Sequence, residues 1–339
     1  MRNLLLASLL LPACTSSSEP TTTVTDNPIT AAARGDQIVV AANEATEETG
    51  FGCGGGQAFL GRSVLFVSSD RGATFERIVP SDERPLVRMA SHDGVFYAIA
   101  HGNDGSFGVV TSVDGKEWTE VAGAQRYAQD FATADDLMVV AHATGVMTSA
   151  DGSAWTDHEL AGDAYYQASV ARVNGTLAIG TNVDGKLHLS TNAASWTERS
   201  IAGLDGIDQV IADGESLLVA GYGAGRGAVL ARVDLENSAP LAITDRSYAT
   251  RMFLTPAGLL DTNGLLVDTA TARFGATLGH VAPFTTAAVD GSTVILVRPD
   301  SLAISRDGGA TFDAGTLPLP IVKVEIERQH TEEEFGPRG

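Results

Sequence analysis

A short motif that combines serine, aspartate, glycine and an aromatic residue recurs along the chain and constrains the fold more than any other feature. Its fullest copies are SSDRGATF at 68–75 and SRDGGATF at 305–312. Shorter copies are SVDGKEW, SADGSAW and the divergent STNAASW. The five copies start at Ser68, Ser112, Ser149, Ser190 and Ser305, so the first three intervals are 44, 37 and 41 residues and the last is 115 residues.

The long last interval has room for two degraded copies of the motif. RVDLENSAPL at 232–241 and LVDTATARF at 266–274 occupy the expected positions, which gives seven units of about 40 residues. Each unit contains short apolar runs separated by turn residues, as in VRMAS-HDG-VFYAIA of the second unit. Asp-Gly and Asn-Gly between apolar runs favour tight β-hairpins. These turns are His92-Asp93-Gly94, Val173-Asn174-Gly175, Ala212-Asp213-Gly214 and Val289-Asp290-Gly291.

Four short strands in each of seven similar units are typical of a β-propeller. We therefore predict an all-β fold, a seven-bladed β-propeller of four-stranded antiparallel blades, with almost no helix because no segment keeps a 3.6-residue period. Six or eight blades, or a solenoid, are the alternatives.

The motif has structural tasks at the hairpin between the third and fourth strands of a blade. Its aspartate can accept bonds from backbone N–H groups of the turn, its glycine can adopt a positive φ, and its aromatic residue can pack between blades. The residues concerned are Ser68, Asp70, Gly72, Phe75, Ser112, Asp114, Gly115, Trp118, Ser149, Asp151, Gly152, Trp155, Ser190, Trp196, Ser305, Asp307, Gly309 and Phe312.

The pattern S-x-D-x-G-x-T-F/W resembles the Asp-box, or BNR repeat, of sialidase-like propellers. The resemblance covers most of residues 29–319 and implies boxes on the rim, away from the central pocket. The fourth copy departs from the pattern, since Asn192 and Ala193 replace the aspartate and glycine, and its turn should be weaker. The resemblance does not fix an activity, because one fold supports many functions.

Sialidases of this kind use three arginines, a tyrosine–glutamate pair and an aspartate, and this sequence carries no motif for that set. Arg34 and Arg84 do not lie in the family's Arg-Ile-Pro element. Arg88, Arg172 and Arg251 recur on predicted inner strands, where each side chain points either into the channel or towards a neighbouring blade. We therefore assign no catalytic residue, although a sialidase-like hydrolase stays an alternative.

The N-terminus has the features of an export signal. In MRNLLLASLLLPAC, one arginine precedes an apolar run that is too short to span a bilayer. The Leu11-Pro12-Ala13-Cys14 ending resembles a bacterial lipobox, which predicts lipidation of Cys14 after removal of residues 1–13; ordinary cleavage near Ala13 is the alternative. Thr15 then favours the outer membrane or cell surface. Residues 14–28, rich in Ser, Thr and Pro, are predicted to be a disordered tether.

Charge and cysteine content exclude several classes of protein. With a formal net charge of −20, the chain should avoid nucleic acid and anionic lipid. If Cys14 carries lipid, Cys53 is a lone thiol among only two cysteines, and neither a disulfide framework nor a CxxC metal pattern is available. We expect no metal, no cofactor and a monomer.

A binding face is expected where the loops between the second and third strands meet the loops between blades. The ends of the second strands, a glycine-rich loop at 44–62 and aromatic residues of inter-blade loops all fall there. Structural packing is the alternative for each of them. The residues are Asn43, His101, His142, Thr181, Gly221 and Arg298 from strand ends, Phe51 and Cys53 from the loop, and Tyr127, Tyr165, Tyr166, Tyr248 and Phe284 from the inter-blade loops.

These features predict a propeller body at 29–328 followed by a loose tail at 329–339. IVKVEIERQ, at the end of the body, alternates apolar and charged residues and should form one more strand, paired with the first or last blade. The function we expect is non-catalytic recognition of an envelope protein or a glycan by a lipid-anchored propeller. A structural envelope protein is a further alternative.

Overall fold

The structure is a computed structural model, and it has the predicted all-β architecture. It describes residues 21–49, 58–81, 84–102, 107–125, 128–134, 137–160, 168–223, 228–235, 251–268, 273–277, 284–298, 301–318 and 322–324. These residues contain strands and turns and no helix, and thus no helix able to cross a bilayer.

Seven antiparallel sheets form the seven blades of a β-propeller, which confirms the predicted fold and blade number. In each blade the chain runs as a meander from the first strand to the last. The strands are β1 (Thr21–Arg34), β2 (Gln37–Thr49), β3 (Ala58–Ser68) and β4 (Glu76–Ile78) in blade 1; β5 (Leu86–His92), β6 (Val95–His101), β7 (Phe107–Ser112) and β8 (Thr119–Gln125) in blade 2; β9 (Ala128–Ala134), β10 (Leu137–His142), β11 (Gly145–Ser149) and β12 (Thr156–Glu159) in blade 3; β13 (Ala168–Val173), β14 (Thr176–Thr181), β15 (Lys186–Ser190) and β16 (Thr197–Ser200) in blade 4; β17 (Gly206–Asp213), β18 (Ser216–Tyr222) and β19 (Ala228–Asp234) in blade 5; β20 (Met252–Thr255), β21 (Gly258–Asp261), β22 (Leu265–Asp268) and β23 (Arg273–Thr277) in blade 6; and β24 (Thr286–Asp290), β25 (Thr293–Val297), β26 (Leu302–Ser305) and β27 (Asp313–Gly315) in blade 7.

The first hairpin of a blade closes at the turns that the sequence predicted. In blade 2, His92 pairs with Val95, and Asp93 and Gly94 between them have φ angles of 46° and 74°. Two consecutive positive φ angles match the right-handed twist of the strands, and Asp-Gly tolerates them. Because the blade is a meander, this turn and the one between the third and fourth strands lie at the same end of the blade. We call this end the box end.

The serine–aspartate motif builds the second of these turns. In its first copy, the Ser68 hydroxyl accepts a hydrogen bond of 2.8 Å from the Gly72 N–H. The carboxylate of Asp70 accepts bonds from both the N–H and the hydroxyl of Thr74, at 2.9 and 2.6 Å. Gly72 has a φ of 82°. The copy that contains Asp307 has the same bonds at the same distances.

The divergent fourth copy keeps its turn with different residues. The side-chain oxygen of Asn192 accepts bonds of 3.0 Å from the N–H groups of Ala194 and Ser195. Ala193 stands in the left-handed position with a φ of 59°. Its methyl group is buried with Val139 and Ala141 of blade 3, so packing offsets part of the conformational cost of a side chain there.

The hydrophobic core lies between blades. One cluster joins Val39 and Leu65 of blade 1 to Phe96 and Trp118 of blade 2. Five further clusters join blades 2 and 3, 3 and 4, 4 and 5, 5 and 6, and 6 and 7 in the same way. Each blade therefore buries its apolar faces only against its neighbours, and blades stabilise one another around the ring.

Blades 7 and 1 meet through polar contacts at the box end. The Gly35 N–H donates to the Asp290 carboxylate at 2.5 Å, and the Arg306 guanidinium donates to the Arg71 carbonyl at 2.9 Å. The Asp36 carboxylate binds Arg71 in turn. These contacts close the ring between the last blade and the first.

The chain divides into two compact units. One comprises 27–43 and 62–318, and the other comprises 1–26, 44–61 and 319–339. In the second unit, Val322–Val324 form β28, which pairs antiparallel with Thr22–Val24 of β1, and this gives the strand expected at the end of the body. β1 begins at Thr21, inside the 14–28 segment whose composition predicted a tether, because this threonine-rich stretch pairs its backbone with β28.

Candidate ligand site in the central channel

The first strands of blades 2 to 7 contact one another in order around the centre of the propeller, so their side chains line the channel. Counting back four residues from the end of each first strand gives a polar residue in every blade. Each of these strands ends at the first turn of its own blade, so the residues lie at one level of the channel. We call them the polar ring: Thr30, Arg88, Asp130, Ser169, Gln209, Arg251 and Thr286.

In three blades an extra residue precedes the ring position. Val87 bulges between paired Leu86 and Arg88, and Asp208 bulges in the same way before Gln209. In blade 3, Ala141 and His142 pair with Asp130 and Ala128, so Gln129 is the extra residue of the bulge. A β-bulge redirects the side chain that follows it, and such bulges are common beside binding sites.

Ring residues link adjacent blades by hydrogen bonds. The Asp130 carboxylate accepts from the Ser169 hydroxyl at 2.8 Å and from the Val170 N–H at 3.3 Å. The same serine oxygen accepts from the Val210 N–H at 3.1 Å. Gln209 bonds both the N–H and the carbonyl of Met252, at 2.8 and 2.6 Å. Blades 3 to 6 are thus tied together at this level.

The two arginines of the ring lie close enough to interact electrostatically. Arg88 belongs to blade 2 and Arg251 to blade 6, which are not neighbours, yet burial and the Arg88 charge both lower the pKa of Arg251, to about 10. Burial likewise lowers the pKa of Arg88, and the Asp130 carboxylate opposes this. Both guanidiniums are protonated at neutral pH.

No carboxylate neutralises these arginines directly within the described part of the chain. Arg88 donates to the carbonyl of Val87 at 2.9 Å, and its buried Nε has no hydrogen-bond partner among the described residues. Arg251 lies over the ring of Phe253, 5.6 Å from its centroid. Two cations and one carboxylate leave the ring with a local charge of +1 inside an acidic protein.

A cavity of about 300 Å³ opens beside this ring. Its wall consists of the first strands of blades 3 to 6, between the ring position and the turn that ends each strand, together with Val289 of blade 7. Asp130, Arg172 and Arg251 are its charged lining residues. Most other lining residues are apolar, namely Phe131, Ala132, Val170, Ala171, Val210, Ile211, Ala212, Met252, Phe253, Leu254 and Val289.

The cavity reaches solvent at the box end. Leu254 and Val289, which each stand one residue before the end of their strand, are 37% and 40% exposed. They are among the few large apolar side chains exposed in the described part of the chain. The site thus combines a cationic inner end with a rim that carries two exposed apolar side chains and Arg172.

Three of the predicted strand-end residues are buried within the protein. Asn43, His142 and Thr181 are 2%, 1% and 0% exposed. The His142 ring contacts the Asp157 carboxylate at 3.0 Å, and Thr181 donates to Asp184 at 3.0 Å. Their side chains support the blade edges and leave no surface for a ligand.

His101 and Arg298 are partly buried. The His101 ring packs against Phe107 with 4.5 Å between centroids, and the Nε of Arg298 is buried without a hydrogen-bond partner among the described residues. Phe284 is 4% exposed and packs on Phe253, so it belongs to the core between blades 6 and 7.

The other predicted site residues lie outside the described residues: Cys14, Phe51, Cys53, Tyr127, Tyr165, Tyr166 and Tyr248.

Of the three candidate clamp arginines, Arg172 and Arg251 share the cavity, and Arg88 joins Arg251 in the polar ring. Arg34 is elsewhere: it stacks on Phe96 and donates to the Val113 carbonyl at 3.0 Å, so it joins blades 1 and 2. Among the described residues, no group of three or more His, Cys, Asp and Glu side chains could hold a metal ion.

Asp130, Ser169 and Gln209 were not predicted from the sequence. The predicted binding face was drawn from the ends of the second strands, whereas the site lies on the first strands. Counting back four residues from the predicted Asp-Gly and Asn-Gly turns would have found Arg88, Ser169, Gln209 and Thr286 of blades 2, 4, 5 and 7. The first turns of blades 3 and 6 lack these pairs, so Asp130 and Arg251 would have been missed.

Comparison with known proteins identifies the fold alone. No protein-family model and no curated protein matches the chain. Similar solved structures include the computationally designed Ika8 protein, with a TM-score of 0.51 and 10% identity over 86% of this chain and 96% of that chain. A chain in the crystal structure of the mitotic checkpoint complex has a TM-score of 0.56 and 13% identity over 88% and 96%. Both likenesses agree with a propeller.

Proposed function

We propose that this protein is a non-catalytic binding or scaffold lipoprotein of the cell envelope that recognises a protein or a glycan. The observation that carries the proposal is the composition of the channel cavity. Its one described carboxylate, Asp130, is occupied by two hydrogen bonds between blades, and Arg172 and Arg251 are the cations of its lining. Glycoside hydrolysis needs two carboxyl groups with separated pKa values, whereas the described lining has one. Such a site is suited to holding a ligand.

A glycan array with sialosides, probed with a soluble chain of residues 15–339, tests recognition. This chain omits Cys14 and keeps all of β1, which begins at Thr21. Specific binding that Tyr127→Ala or Tyr166→Ala removes supports a glycan ligand on the loop-rich face. In parallel, photo-crosslinking in the envelope with the same variants tests a protein partner. Failure of both experiments would overturn the proposal.

The lipid anchor is tested separately. Labelling of cells with a fatty-acid analogue should modify the wild-type chain and not Cys14→Ala, and the modified chain should fractionate with the outer membrane. Label that persists in Cys14→Ala contradicts the proposed anchor and leaves the binding function untouched.

One observation favours the alternative function, a sialidase-like hydrolase. Burial raises the pKa of Asp208, the bulged residue of β17, as a general acid requires. This alternative predicts turnover of a fluorogenic sialoside that Asp208→Asn abolishes. No turnover by the wild-type protein rejects it.

A further inference from the structure

We propose that the channel cavity binds a small organic carboxylate next to an apolar group, and that this ligand enters from the box end. The inference rests on the proposed binding function and names a ligand class for one described site. It is carried by three observations: the two arginines of the polar ring with the single carboxylate of Asp130, the apolar side chains in the cavity lining, and the exposed rim.

The charge at the inner end of the cavity selects an anion. Arg251 lines the cavity, Arg88 interacts with it electrostatically, and neither forms an ion pair with Asp130 in the described structure. A guanidinium presents its N–H donors in a planar fork that matches a carboxylate. Together with the Asp130 carboxylate, one ligand carboxylate between the two arginines would bring the local charge of the polar ring from +1 to zero.

The wall of the cavity selects the rest of the ligand. Side chains such as Ile211, Phe253 and Leu254 offer apolar surface, and Thr133 supplies one of the few hydroxyl groups. The apolar part of an aliphatic or aromatic acid can pack against these side chains without losing hydrogen bonds with water. A cavity volume of about 300 Å³ accepts a small ligand of this kind.

The rim indicates the direction of entry. The lining positions run from the polar ring to the residues just before the first turns, where Leu254 and Val289 meet solvent. A ligand therefore places its carboxylate inwards and its apolar group towards the box end. Arg172, one residue before the end of β13, stands at this same level.

Two sources can supply this chemistry, a free short-chain acid or the C-terminal residue of a polypeptide. Calorimetric titration of the full-length protein distinguishes them with four probes: hexanoate, hexanamide, an acetylated tripeptide ending in leucine, and its C-terminal amide. Both acids should bind better than their amides. Tighter binding of the peptide acid than of hexanoate indicates a polypeptide terminus, and the reverse indicates a free acid.

Two variants test the residues, each with a matched control. Arg251→Gln should weaken binding of either acid about ten- to a hundred-fold, since a charge-assisted hydrogen bond is lost. Arg77→Gln, on the outer strand β4, should not. Leu254→Glu puts a negative charge on the rim and should weaken binding, whereas Val113→Glu, at a 72% exposed residue of a box turn, should not.

Circular dichroism melts establish that each variant is folded. If neither acid binds the wild-type protein, or if Arg251→Gln and Leu254→Glu bind as well as their controls, the inference is overturned. Glycan or partner binding by the wild-type protein in the experiments above would still support the proposed function, so the two failures are distinguishable.

Discussion

The glycine of the serine–aspartate motif allows two blades to approach closely, and this can be measured at Gly152. Its φ is 73°, and a Cβ built on it would lie 2.2 Å from the Oη of Tyr97 in the preceding blade. Gly175, in the first turn of blade 4, has a φ of 75°, and a Cβ there has no atom within 4 Å. The two positions thus share a backbone conformation and differ in their surroundings.

Substitution by alanine separates the two costs. At Gly175 the change meets only the left-handed conformation, which costs about 1–2 kcal/mol for a residue with a side chain. At Gly152 it also forces Tyr97 to move within a packed interface, which adds about 1–3 kcal/mol. The gain from a stiffer unfolded chain is common to both variants and cancels in the difference. Gly152→Ala should therefore lose about 2–5 kcal/mol of unfolding free energy, and Gly175→Ala about 1–2 kcal/mol.

Urea unfolding followed by fluorescence measures both free energies, and thermal melts should give the same order. Adding Tyr97→Phe removes the atom in conflict, so the double variant with Gly152→Ala should be more stable than the two single effects predict. Equal losses at Gly152 and Gly175, or strict additivity with Tyr97→Phe, would refute the claim that this glycine serves the contact between blades.

Three further predictions follow from the described contacts. Hydrogen bonds from the Thr74 side chain, the Thr74 N–H and Ser68 lower the pKa of Asp70 to about 2 from 3.8. The stability that the Asp70 carboxylate gives the folded protein is therefore complete above pH 3.8 and is lost as the pH falls towards 2. The urea midpoint of unfolding should drop over that range, and it should drop less in Asp70→Asn. Asn192→Asp gives two backbone N–H donors a charged acceptor and should raise the unfolding free energy by about 1 kcal/mol at pH 7, with Asp151→Asn as the reverse change in the intact copy. Finally, the net charge of −20 should repel a negatively charged ligand at long range. The screening length falls from roughly 30 to 10 Å as salt rises from about 0.01 to 0.1 M, so association of a labelled peptide acid, measured by stopped flow, should become faster. A slower rate at higher salt would show that the channel arginines dominate at long range.

The fold was largely predictable because its signals are local. The turn at Asp93-Gly94 fixes a hairpin within a few residues, and the motif at 305–312 fixes another, so counting these signals gave seven blades. β1 was different: composition predicted a tether at 14–28, whereas Thr22–Val24 pair as a strand with Val322–Val324, about 300 residues away in the chain. Composition carries no trace of such a partner.

The site was less predictable because it depends on register. Whether Arg88 points into the channel or towards a blade changes with a one-residue slip, and a bulge at Val87 makes such a slip. Bulges leave no sequence signature in these strands. His142 shows the opposite case. Its place at a strand end suggested exposure, yet Asp157 on β12 lies close enough to bond it inside the blade.

Some positions carry the same residue in most repeats and others do not, and this difference separates structural positions from the site. The motif serine recurs in five of the seven blades, where it holds the same turn between the third and fourth strands. These serines are all buried: Ser68, Ser112, Ser149, Ser190 and Ser305. The polar ring has a different composition in almost every blade, although its level in the channel is the same. A seven-bladed propeller has seven interfaces between blades but only one central channel. Residues that line the channel therefore serve one site. If the same charged residue were repeated there in every blade, seven equal charges would lie together. An arrangement of two arginines, one aspartate and four neutral residues breaks the symmetry at the level where the channel has its cavity. The departure from repetition is therefore itself a reason to seek the ligand there.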